Sequence, residues 1–183
     1  MSSALLYSLF IGATALERLV EVVVSKRNAA WSFARGGKEY GRGHFPAMVA
    51  LHTGFLFACP AEVWLLEREF IPALGWPLLA LALVAQGLRW WCITTLGPRW
   101  NTRVIIVPDL PRVTGGPYRF MSHPNYVIVV AEGLILPLIH SAWITAAVFT
   151  VLNAWLLTVR IRCEEAALAE LAGDGALAGG ENG

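Results

Sequence analysis

Charge is what this chain has least of. Lys, Arg, Asp and Glu make up 15% of its 183 residues, against about 25% in ordinary soluble domains, and 56% of the residues are hydrophobic. With a mean hydropathy of +0.57, that shortage excludes an ordinary water-soluble domain and makes an integral membrane protein the expectation. Lys and Arg number 14 against 13 Asp and Glu, a net charge of +1. Nothing here is a clustered basic excess able to neutralise several phosphates, so nucleic acid is not an expected partner. Cysteine is scarce too: Cys59, Cys92 and Cys163 are scattered, with no neighbour at metal-ligand spacing, so free thiols and no bound metal are expected. The chain has no GxGxxG, GxxxxGK[ST] or HExxH pattern, which leaves the usual nucleotide and zinc readings without support. No internal repeat is present. Met1 to Leu6 lacks a basic run, and Glu17, Arg18 and Glu21 stand where a small-residue cleavage site would have to lie, so no cleaved signal is expected.

What is there is a series of apolar segments in one domain spanning 1–183. The first runs over about 4–24, long enough for a crossing at roughly 20 residues. A basic, glycine-broken loop follows over 25–43. Segments over about 45–66 and 70–91 complete a region of three helices, 1–91. An arginine-rich stretch, 92–122, leads to a short segment over about 124–139 and a last one over about 141–159, joined by an uncharged turn that makes them an antiparallel hairpin. A helix is expected to continue to 171, and the glycine-rich residues 172–183 are expected to be disordered. The predicted class is therefore an all-α polytopic membrane protein with five crossings. Arginine and lysine are concentrated in alternate loops, and such loops stay cytoplasmic. That places the N-terminus outside, the C-terminus inside, and the loop at His123 and the run 160–165 together on the cytoplasmic face.

The run 115–126, GGPYRFMSHPNY, is polar and turn-forming in a chain that is otherwise apolar. Pro124 suits the first position of a helix, making His123 the expected cap, and the first-turn N–H groups beside His123 and Tyr126 suit an anionic guest. In Arg160-Ile161-Arg162-Cys163-Glu164-Glu165, Arg160 and Glu164 stand at i,i+4 spacing, able to pair. The run is either a stop-transfer cluster or, brought to His123 by the hairpin, half of a pocket for a zwitterionic ligand. Glu132 falls about 12 Å below the mouth of that pocket. An intramembrane carboxylate is a candidate site residue, the alternative being a structural Glu packed on Asn153 or Gln86. Glu17, Arg18 and Glu21 read as an interfacial, self-paired cluster. Trp100-Asn101-Thr102-Arg103 reads as an aromatic belt with headgroup contacts or as part of the site, while His44 and His52 have no partner at ligand spacing.

Taken together, LGPRWNTRVIIVP (96–108), VTGGPYRFMSHPNY (113–126), Glu132 with Leu136-Pro137, and RIRCEEAAL (160–168) resemble the isoprenylcysteine carboxyl methyltransferase family of membrane methyltransferases. Within it they look most like the bacterial alkylpyrone and alkylresorcinol O-methyltransferase branch. The resemblance covers 96–171. It implies a cofactor, S-adenosyl-L-methionine, bound by Tyr118, His123, Pro124, Tyr126, Arg162, Glu164 and Glu165. It also implies a lipophilic, membrane-embedded acceptor, such as a prenylcysteine or a long-chain polyketide, beside Trp100, Asn101, Arg103, Glu132 and Asn153, with membrane lipids around it. For a phenol or enol, Glu132 or Glu165 is then the candidate base, with Arg160 or Arg103 holding the oxyanion. Ser122 departs from the family's usual arginine before His-Pro, with Arg119 the expected substitute. Phospholipid N-methylation and a non-enzymatic transporter or scaffold are the competing readings.

Overall fold

The computed structural model describes residues 2–108 and 110–178, with side chains as far as Ala169. Five long helices carry the fold: α1 (Ser3–Phe33), α2 (Phe45–Leu65), α3 (Pro72–Leu96), α4 (Pro124–Leu138) and α5 (Trp143–Ala178). Two short strands, β1 (Lys38–Tyr40) and β2 (Val104–Ile106), pair antiparallel with Glu39 opposite Ile105. The helical class is as expected; the ribbon is an addition to it, because three-residue strands leave no periodicity to read.

Helix ends depart from expectation at one end of the bundle only. α1 runs nine residues past the expected 24 and stops before Gly36, whose φ of +75° only glycine adopts without strain. α3 continues to Leu96, where Gly97 at φ +54° turns the chain out. The last segment and the tail are one helix to Ala178, so the expected break at 171 is absent, and 179–183 lie outside the described residues.

At the opposite end the helices are tied level. The Tyr7 hydroxyl donates to the Leu136 carbonyl at 3.1 Å, and His140 meets the Ser3 hydroxyl at 3.2 Å. Glu62 at the foot of α2 accepts from the Ile144 and Thr145 amides at 3.1 and 2.6 Å and from the Thr145 hydroxyl at 2.7 Å, while pairing with Arg68 at 2.9 Å. This carboxylate caps α5 from another helix. Tyr7, Ile11, Phe55, Cys59, Val63, Leu136 and Phe149 belong to the main apolar core.

With one end level, unequal lengths stagger the other. α4 has 15 residues, about 22 Å, whereas α3 has 25 and α1 31. The short helix leaves a notch among its neighbours, and residues 97–108 and 110–123, with the ribbon, close over it. Outward faces are apolar, with Phe57, Leu65 and Val151 each at least 70% exposed, as lipid contact requires and water does not favour. Helices α2, α3 and α5 are long and apolar enough to cross a membrane by length and composition; α4 is apolar but shorter, and α1 is interrupted by Glu17, Arg18 and Glu21.

Candidate functional site

Pro124 starts α4, and His123, at φ −131° and ψ 58°, ends the loop before it. His123 holds the cap position, as expected from the sequence, but its side chain makes no capping hydrogen bond; its ring stacks on Tyr126 instead, centroids 5.1 Å apart and planes at 12°. On α5, Arg160, Glu164 and Leu168 form one i,i+4 stripe facing this point, and all three line a cavity of about 140 Å³ in the notch. Asn125 and Tyr126 line it from α4, and Tyr118, Ser122 and His123 from the preceding loop. Its remaining wall is Trp100, Asn101, Arg99, Arg103 and strand β2.

Arg160 and Glu164 do not pair directly among the described contacts. The Tyr126 hydroxyl stands between them, accepting from Arg160 Nε at 2.9 Å and donating to Glu164 Oε2 at 2.5 Å. Arg160 Nη1 donates to the Thr102 carbonyl at 2.7 Å and Nη2 reaches the Asn101 carbonyl at 3.5 Å. One buried guanidinium thus clasps α5, α4 and the 97–103 loop. That loop is also stitched to the extension of α1: Asn28 Nδ2 donates to the Trp100 carbonyl at 2.7 Å, and the Ser25 hydroxyl bonds Asn101 Oδ1 at 2.8 Å. Trp100 is 3% exposed and therefore part of this wall rather than a surface belt.

Two acceptors on residues that line the cavity have no hydrogen bond among the described residues. Glu164 Oε1 has His123 Nδ1 as its charged neighbour at 4.0 Å, beyond hydrogen-bond reach. Asn125 Oδ1 is buried without a partner among the described residues, an arrangement that costs free energy unless a ligand or water completes it. Burial, and then the neighbouring Cys92 thiol, raises the Tyr118 phenol above its ordinary pKa, so it stays a donor. Burial, and then the Arg160 charge, lowers His44.

The other expected site residues lie elsewhere. Arg162 and Glu165 are exposed on α5 and are not in the lining; at 100° per residue they face away from the 160–164–168 stripe. Pro124 is buried in the helix start. Arg119 stacks its guanidinium over Phe120 at 4.4 Å, outside the lining, so it does not replace the arginine missing at Ser122. Asn153 is 2% exposed, with Oδ1 unpartnered, and lies deeper along α5.

Glu132 is one member of a buried ion network. It accepts from Arg18 Nη2 at 2.9 Å and Arg89 Nη1 at 3.4 Å, and Arg18 also bonds Gln86 at 2.9 Å. Arg89 Nη2 donates to Glu21 Oε2 at 2.7 Å, while Arg18 pairs with Glu21 and Gln86 with Glu17. The cluster Glu17, Arg18 and Glu21 is self-paired at Arg18 and Glu21, as expected, but it is not interfacial: it faces inward and joins α1 to α3 and α4. Among the described hydrogen bonds, Glu132 is joined to Gln86 through Arg18 and none links it to Asn153. The sequence reading missed Arg89, although an arginine inside an apolar helix is a signal of its own.

An apolar-sided bundle with a polar cavity over its shortest helix defines the class as an integral membrane protein. Residues 78–170 match the isoprenylcysteine carboxyl methyltransferase (ICMT) family. The chain belongs to that family of membrane methyltransferases, whose members are generally dependent on S-adenosylmethionine. It is 36% identical over 166 residues to the uncharacterized protein YpbQ of Bacillus subtilis, covering 90% of this chain and 98% of that one. It is 27% identical over 157 residues to an uncharacterized protein of Haemophilus influenzae, covering 84% and 90%. No solved structure matches.

Proposed function

We propose that this protein is an S-adenosylmethionine-dependent O-methyltransferase acting on a lipophilic, membrane-embedded acceptor with an ionisable oxygen, a carboxylate or an acidic hydroxyl such as that of a long-chain polyketide. The observation that carries the cofactor is the pair of uncommitted acceptors, Glu164 Oε1 and the buried Asn125 Oδ1, in one cavity at the start of α4. They suit an ammonium and ribose hydroxyls, and the first-turn N–H groups of α4 suit a carboxylate. When bound, the cofactor supplies an electrophilic methyl group on a sulfonium.

The protein's own part is alignment and charge. Arg160 holds the cavity wall to α4 and α5 and so fixes where the acceptor oxygen stands, which is the main demand of an in-line displacement. Arg99, Arg103 and Arg160 face the cavity against one carboxylate, Glu164, a balance that favours an anionic oxygen over an amine becoming cationic. Glu164 is engaged by Tyr126, and Glu132 and Glu165 lie outside the lining, so an acceptor that ionises unaided fits best. In the membrane the bundle is proposed to cross five times, N-terminus outside and cavity facing the cytoplasm of a bacterial inner membrane.

Calorimetry with S-adenosylhomocysteine tests the site. Glu164→Ala and His123→Ala should each weaken binding about tenfold or more, ~1.4 kcal/mol, whereas Glu165→Ala should leave it unchanged. Wild-type affinity in the first two, or no binding by the wild type, would remove this cavity as the cofactor site.

A further inference from the structure

Three arginines face the polar cavity, and the fold uses them unequally. Arg160 donates through Nε, Nη1 and Nη2 to Tyr126, Thr102 and Asn101, and Arg99 is tied by Nη1 to the Pro111 carbonyl at 2.5 Å. The Arg103 guanidinium makes no hydrogen bond among the described residues, although it lines the cavity and its side chain is 38% exposed. It rests over the Phe45 ring at 5.5 Å, with a Glu39 carboxylate oxygen 3.7 Å from Nη1, close enough for attraction but beyond hydrogen-bond reach. A planar fork of N–H donors is thus left open at the cavity wall.

Both members of this pair are held in place. The Arg103 amide donates to Asn101 Oδ1 at 3.0 Å, and Asn101 and Thr102 are bonded to Ser25 of α1. Glu39 is the single acidic residue in the basic loop 25–43. The ribbon sets it opposite Ile105, and because alternate residues share a face, Arg103 stands diagonal to it. The turn after β1 seats on α5 so closely that a side chain at Gly41 would run into the His44 ring and the Cys163 thiol. Glu39 also has a second cation: its other oxygen pairs with Arg42 at 3.1 Å.

We propose that Glu39 is a specificity-determining residue acting through Arg103: Arg103 binds the ionised oxygen of the acceptor, and Glu39 is a resident competitor that holds the guanidinium at the wall until an anion displaces it. The inference rests on the methyltransferase reading. An oxyanion meeting the fork gains charge-assisted hydrogen bonds that Glu39 does not make, and Glu39 keeps Arg42, so neither carboxylate nor oxyanion is left without a cation. A neutral hydroxyl brings no charge with which to displace Glu39, so the pair selects ionised acceptors over neutral ones. The cofactor's carboxylate has the first-turn N–H groups of α4 instead.

Calorimetry on the full-length protein in detergent, with S-adenosylhomocysteine present, tests this with a long-chain 4-hydroxy-6-alkyl-2-pyrone, whose enol is acidic, and with its neutral 4-methyl ether. Arg103→Gln should weaken the pyrone about tenfold and leave the ether unchanged. Glu39→Gln should do the opposite and tighten the pyrone about threefold, because a solvent-screened competitor is gone; a merely structural carboxylate would weaken binding or change nothing. Glu39→Asp should keep the wild-type affinity, and Glu39→Gln should have no effect in the Arg103→Gln background. KM for methyl transfer should follow these affinities, with S-adenosylhomocysteine affinity unchanged in every variant. Wild-type pyrone affinity in Arg103→Gln, equal loss of pyrone and ether, or weaker pyrone binding by folded Glu39→Gln would overturn the proposal. Loss of S-adenosylhomocysteine affinity in Arg103→Gln would give the arginine to the cofactor's carboxylate and overturn it as well. Charge-selective pyrone binding through Arg103 without methyl transfer by the wild type would instead overturn the enzymatic reading and leave an anion site.

Discussion

Glu132 and Glu164 show how two carboxylates of one chain take different roles from their neighbours. Glu164 Oε1 accepts no hydrogen bond among the described residues, while both oxygens of Glu132 are spent on Arg18 and Arg89. Taking one partner from a buried ion pair leaves the others uncompensated, at a cost of about 3–5 kcal/mol. Glu132→Gln should therefore lower stability toward the bottom of that range, ~3 kcal/mol, with cofactor affinity and the shape of the pH–rate profile retained. Unfolding in detergent and rates across pH measure both. A profile that loses its basic group while the melting temperature stays put would restore Glu132 as the catalytic base. The sequence singled out Glu132 because carboxylates are rare in membrane helices, but the arginines answering it lie 114 and 43 residues away along the chain, and nothing local pairs them. Adjacent Glu164 and Glu165 could have been separated by helix phase alone, since Arg160, Glu164 and Leu168 repeat every fourth residue.

The helices themselves were legible wherever an apolar run ends at a glycine, a proline or a charged link. Pro124 marks the first residue of α4, and the Glu67–Glu69 link follows α2 closely. What was not legible is where α1, α3 and α5 pass beyond the apolar run. Residues 25–33 include Lys26, Arg27 and Asn28 and look like loop by hydropathy, yet they remain helical because Ser25 and Asn28 find partners in the 97–102 segment. Glu62 drew no reading from the sequence, although it caps the neighbouring α5. Glu62→Ala should remove three hydrogen bonds at that helix start and leave Arg68 unpaired, destabilising the bundle by about 2 kcal/mol. Thermal unfolding checks this, and an unchanged melting temperature would mean that water replaces the carboxylate at no cost.

At the scale of the whole molecule, the hydrogen bonds at the Tyr7, Glu62 and His140 end and the cavity at the other make two chemically unlike faces. The arginine-rich loops gather at the cavity end, so a reporter fused after Gly183 should read cytoplasmic and one at Met1 outside. Cytoplasmic readings at both ends would imply an even number of crossings and reject the five-crossing arrangement. Composition alone determined that this is a membrane protein, because so apolar a chain has no stable place in water, and four short motifs determined its family, because they sit on the segments that build the cavity. Only the tertiary structure decided where that cavity lies and which residues face it. Its depth comes from the difference in length between α4 and its neighbours, and its lining from the rotation of α5. Both depend on contacts between helices distant in sequence, which hydrophobic patterning specifies as apolar but does not put in register.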